Sequence, residues 1–123
     1  MIINIISSSR YKIERKKIKN HINEIINKKV GVIFSYFNLI IVGKRKMKTL
    51  SIKYKNENVP LPVLTFYYNE EDTGEIFICY SQMILLAAEK NKTVDYILNS
   101  LIEHGIENLI KQKNSYKDSF YNK

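Results

Sequence analysis

Two histidines, one cysteine and twenty lysines and arginines are the groups in this 123-residue sequence whose chemistry reaches beyond packing. His104 stands in LIEHGIENLI, where apolar residues recur at helical spacing. Position 108 lies about 40° round the same helix from it, and groups placed i, i+4 in this way can share a metal ion. Glu107 points about 100° away from position 108, among solvated residues, and does not join such a pair. The sequence lacks GxxxxGKS, GxSxG and HExxH, so P-loop nucleotide hydrolysis, serine hydrolysis and metallopeptidase chemistry are without their parts. Cys79 has no second cysteine to pair with. It sits in the apolar run EIFICY and reads as a small buried hydrophobe in a reducing, cytoplasmic setting.

Phosphate binding is the other chemistry the residue types allow. The net charge is +8, and it is unevenly spread: Met1 to Pro60 carry 14 basic and 3 acidic residues, Leu61 to Lys123 carry 6 and 9. A polycationic half attracts nucleic-acid backbones by counterion release, whatever their sequence. Its candidate contacts are Arg10, Arg15, Lys16, Lys19, Lys44, Arg45, Lys46 and Lys55. Lysine, isoleucine and asparagine are all inflated, a genome-wide bias that weakens the case for any single lysine but not for the cluster.

Several elements must position these groups. Ile2 to Ile6 reads as a strand, and Ile18, Ile22, Ile25, Ile26 and Val30 give the region from Tyr11 to Val30 an apolar helical face beside a basic one. Val30 to Gly43 is uncharged, but it is shorter than the roughly 20 residues of a membrane span. It reads as a loop followed by a strand, Asn38 to Val42. Lys44 to Lys55 is a short basic helix, and Asn56 to Pro62 holds both prolines in a loop. Val63 to Tyr68 and Glu75 to Tyr80 form a hairpin around NEEDTG, with Gly74 as a turn former. Ser81 to Asn91 is helical with Ser81 as a candidate N-cap, and Thr93 caps a longer helix reaching about Lys111. Residues 114 to 123 read as a frayed tail. The expected fold is a single α+β domain, a four-stranded mixed sheet with about four helices in the order β-α-β-α-β-β-α-α. The first ten residues lack a basic n-region and a long apolar run, which argues against export.

Placed on these elements, TGEIFICYSQMILLAAEKNKTVDYILNSLIEHGIENLI and the upstream MKTLSIKYKNENVPLPVLTF resemble the YbeY family of endoribonucleases. The family's HGxLHLxGYDH, whose three histidines hold zinc, aligns with His104, Asn108 and Asn114. Its YR aligns with Tyr54 and Lys55, and its GDI with Gly74, Glu75 and Ile76. The resemblance implies metal-dependent cleavage of single-stranded RNA in ribosomal RNA maturation, with Lys55 steadying the phosphate. Implied partners are ribosomal RNA and the small ribosomal subunit, with a ribosomal protein or assembly GTPase beside them, and no membrane. Asparagine at two of the three ligand positions suits zinc poorly, since an amide oxygen is hard and weakly basic. The alternative is therefore an RNA-binding assembly factor that keeps the fold and has lost hydrolysis.

Overall fold

In the computed structural model, which describes residues 1–29 and 31–121 with side chains to Tyr116, the order of elements is the expected one. It runs β1 (Ile2–Ile6), α1 (Arg15–Asn27), β2 (Tyr36–Val42), α2 (Lys44–Lys55), β3 (Val63–Tyr68), β4 (Thr73–Cys79), α3 (Tyr80–Lys90) and α4 (Val94–Tyr121). The strands form one mixed sheet in the order β1-β2-β4-β3. β1, β2 and β4 are parallel, and β3 pairs antiparallel with β4 at an edge.

Alternation along the strands divides the core in two. Ile5, Phe37, Leu39, Ile41, Ile76 and Ile78 face one side, where α1 contributes Ile18, Ile22, Ile25 and Ile26 and α4 contributes Ile97, Leu98, Ile102, Ile106 and Leu109. Met83 and Ala87 of α3 close that layer. The other face is covered at one end by α2, whose Met47 packs with Val42, Leu64 and Cys79. Cys79 is fully buried there, as a small hydrophobe should be. Ser51 fixes α2 from beneath: its hydroxyl donates to Met47 O at 2.8 Å and accepts from Leu61 N at 3.1 Å, tying the helix to the proline-containing loop.

Boundaries depart from the sequence reading where tertiary contacts override local signals. The hairpin turn spans Asn69 to Asp72, and Gly74 lies inside β4. Asp72 takes the left-handed conformation at φ 48°. Gly74 is required by packing, because a Cβ there would sit 2.9 Å from Leu109 Cδ1. α3 opens at Tyr80, so Ser81 is inside the helix rather than its cap; no side chain caps that end. Thr93 does cap α4, accepting Tyr96 N at 3.0 Å. α4 continues ten residues past Lys111, so residues 114–121 are helical; Asn122 and Lys123 lie outside the described residues. Among the described residues, no helix is long and apolar enough to cross a membrane.

Candidate nucleic-acid interface

Parallel pairing sets the site. Ile6, Val42 and Cys79 end neighbouring parallel strands, so the chain leaves all three at one edge of the sheet. Arg10 follows β1 there, and Lys44, Arg45 and Lys46 form the first turn of α2 beyond β2. α1 starts at the same end, because the Arg15 guanidinium bonds to Ile5 O and, at 3.2 Å, to Ser7 O. This brings Lys16 and Lys19 alongside. α2 ends at Lys55, about 16 Å along the helix from Lys44; its neighbour Tyr54 packs on Phe66, the partner of Glu75, so Lys55 stands towards the hairpin end and away from this edge. All eight candidate cations are exposed.

Arg15 differs from the other seven in being engaged with the backbone. Residues 3, 5 and 7 turn their peptide groups away from β2, as the Ile2 N to Ser35 O bond requires for parallel pairing. The fork of Arg15 therefore covers two outward carbonyls of an edge strand.

One aromatic pair stands at the basic edge, and a second lies farther along α2 towards the hairpin end. Tyr11, from the loop after β1, stacks on Tyr80 at the start of α3 with centroids 4.5 Å apart. Gly43 passes beneath, and a Cβ there would lie 2.9 Å from the Tyr11 hydroxyl. Tyr54 is 49% exposed, packs edge-on against Phe66 at 4.8 Å, and has Lys53 Nζ 5.2 Å from its ring. An exposed ring beside cations is a surface on which a base can stack. The aromatic spacing in sequence gave no sign of it, because Phe66 comes from a different element.

The opposite end of the sheet is acidic. An open groove of about 710 Å³ is lined by Tyr67, Tyr68, Glu70, Glu71, Glu75 and Tyr116, among others. Asp72, beside it, is internally satisfied: it accepts from Ser35 N at 3.1 Å, Tyr67 Oη at 2.7 Å and Lys113 Nζ at 2.9 Å. Burial pushes its carboxyl up, but the bonds from Lys113, Tyr67 and Ser35 outweigh that and hold it below the usual 3.8. Burial, and then the bond to Asp72, push the Tyr67 hydroxyl up to about 12.

α4 carries the metal candidates along the free side of β3. Gly105 lies against β4, where a Cβ would come within 2.8 Å of Ile76 Cδ1. One turn on from Asn108, Gln112 bonds to β3: its Oε1 accepts Tyr67 N at 2.9 Å, and its Nε2 donates to Thr65 O at 3.2 Å and Thr65 Oγ1 at 2.8 Å. His104 is exposed and Asn108 half-buried on this shoulder. Asn114 is not with them. In an unbroken helix it lies about 9 Å beyond Asn108 and about 120° round the axis. Zinc in a tetrahedral site needs nitrogen or sulfur donors about 2.0–2.3 Å from the ion. One imidazole, one neighbouring amide and one amide on another face do not meet that demand. Among the described residues no three His, Cys, Asp or Glu side chains are grouped to hold an ion either.

Residues 4–110 match the family described as Endoribonuclease YbeY, a span that includes His104 and Asn108 and stops before Asn114. The chain is 31% identical to Endoribonuclease YbeY of Thermotoga neapolitana, with 95% of this chain and 77% of that protein covered. It is 32% identical to the protein of that name from Thermodesulfovibrio yellowstonii, covering 85% and 73%. In fold it is similar to the solution structure of TM1509 from Thermotoga maritima, with a TM-score of 0.62, 28% identity, and 89% of this chain and 71% of that one covered.

Proposed function

This chain belongs to the Endoribonuclease YbeY family, and from that premise we propose that it acts in ribosomal RNA maturation by binding RNA along its basic edge, without zinc-dependent hydrolysis at α4. The observation that carries the reading is the convergence of Arg10, Lys16, Lys19, Lys44, Arg45 and Lys46 on one end of the sheet through parallel pairing. These side chains come from three segments of the chain, so a run of lysines in sequence cannot account for their meeting.

The division of labour follows from the residue types. Lysines and arginines at the strand ends neutralise phosphates and fix the path of the backbone, a sequence-independent contribution. Tyr54 offers a ring to a splayed base, which favours single strands over duplex. Lys55 takes the position of the family's arginine and supplies charge without the bidentate fork. The partners proposed are ribosomal RNA and the small ribosomal subunit, with a ribosomal protein or assembly GTPase completing the particle, in the cytoplasm.

Binding of a fluorescent single-stranded RNA, titrated across salt, tests the reading. Each phosphate contact contributes a slope of about −0.7 in log K against log salt. Replacing Lys44, Arg45 and Lys46 by alanine is expected to weaken binding at least tenfold and flatten the slope by about 2. Equal binding by wild type and triple variant would remove the basic edge as the interface. The family's nuclease chemistry is judged in the same samples: RNA cleavage that is stopped by chelator and lost in His104→Ala would restore hydrolysis, for which the retained His104 speaks.

A further inference from the structure

The last third of α4 runs straight through the stretch where a third metal ligand would have to turn back. A helix ends readily at glycine, which adopts the left-handed conformation without a Cβ penalty; here that motif position is Lys111, a good helix former. The next two residues are both anchored. Gln112 makes three hydrogen bonds, joining the outward-facing backbone of Thr65 and Tyr67 on edge strand β3. Lys113 reaches across to Ile33 O and Asp72 Oδ1, with its ammonium 5.1 Å from the Phe34 ring and 5.8 Å from that of Tyr67.

We infer that residues 111–113 have converted the family's third-ligand turn into a clamp on β3 and on the hairpin turn, so that the fold closes without an ion and zinc binding cannot be reinstated by restoring the ligand residues alone. To bring Asn114 beside Asn108, the helix would have to unwind over 111–113. The three Gln112 bonds and the Lys113–Asp72 ion pair, whose side chains are only 13% and 31% exposed, would then be lost. With the helix intact, a pair of donors at 104 and 108 is all that one ion can meet. The inference concerns how α4 is built and stands apart from the RNA-binding reading. A chain that binds no RNA could still show it.

Zinc affinity, measured by competition with a chromogenic chelator, decides the matter in two variants of the full chain. The first carries Asn108→His and Asn114→His. The second adds Lys111→Gly, Gln112→Tyr and Lys113→Asp. The expected result is zinc bound by the first at least about tenfold more weakly than by the second, with wild type weaker still. Affinities closer than that, or a folded second variant that binds no better, overturn the inference. Should the second variant fail to fold, backbone carbon chemical shifts of the wild-type chain decide: helical values through 111–114 uphold the clamp, and a break at Lys111 refutes it. Wild-type melting that is unchanged by zinc or chelator is the matching expectation, and a zinc-dependent rise in Tm would contradict it.

Discussion

The Asp72 carboxylate accepts four hydrogen bonds from three residues, Ser35, Tyr67 and Lys113, while holding a left-handed backbone, so it locks the hairpin turn, the approach to β2 and α4 together. Its depressed pKa means that its contribution is complete above the ordinary value of 3.8 and is lost as pH falls below it. Tyr67 bounds the other side. With its hydroxyl raised to about 12, the native state disfavours ionisation, and stability declines as pH rises from 10 towards 12. Urea midpoints across pH are expected to show both declines, and Asp72→Asn should abolish the acid one while lowering stability by about 2 kcal/mol at neutral pH. Gln112→Ala is expected to cost a similar amount, about 2 kcal/mol, because it leaves outward groups of β3 unpaired beside a packed helix. Neither role is readable from residue type. A glutamine and a lysine beside a polar tail, and an aspartate in a turn, look like solvated surface until the partners are known.

Among the elements, the sheet has two edges, and each is covered by one side chain from a helix. Gln112 of α4 does this for β3, and Arg15 of α1 does it for the free side of β1. Unpaired edges invite pairing with other chains, and β1 is IINII, without charge or proline. Arg15→Ala is therefore expected to lower stability by about 1 kcal/mol and to promote concentration-dependent association, visible by sedimentation. RNA affinity should fall less than for the Lys44, Arg45 and Lys46 triple change, since the guanidinium is already engaged. Element order and most boundaries were legible from periodicity because α1 and the first part of α4 each bury a continuous apolar stripe, and α2 turns Met47 and Leu50 towards the sheet. The extent of α4 was not. Just past Lys111 the helix is held by the bonds of Gln112 to β3 and of Lys113 to Asp72, and such bonds leave no pattern in the sequence.

For the molecule as a whole, the separation of charge along the chain becomes a separation in space. Arg10, Lys16, Lys19 and Lys44 to Lys46 meet at the ends of the parallel strands, and Glu70, Glu71 and Glu75 lie at the hairpin end. A seven-residue strand such as β4 sets these ends roughly 23 Å apart, more than twice the Debye length of about 8 Å in physiological salt. Glu70→Gln with Glu71→Gln is thus expected to change RNA affinity less than about twofold at 0.15 M salt, and more at low salt where screening is weak. A large effect in physiological salt would mean that the RNA crosses the acidic groove.

The sequence by itself determined the α+β order, the burial of Cys79, the polycationic half and the kinship carried by VLTF, GEI and LIEHG. These are properties of composition, periodicity and local motif, which survive a change of surroundings. It also showed that asparagine stands at two family ligand positions. Only the tertiary structure decided that Asn114 lies on another face of α4 from His104 and Asn108, that Arg15 serves an edge strand, and that six other cations share one end of the sheet. Those outcomes depend on which strands pair in parallel and on what a side chain finds across a gap of tens of residues, and no local pattern encodes a partner at that distance.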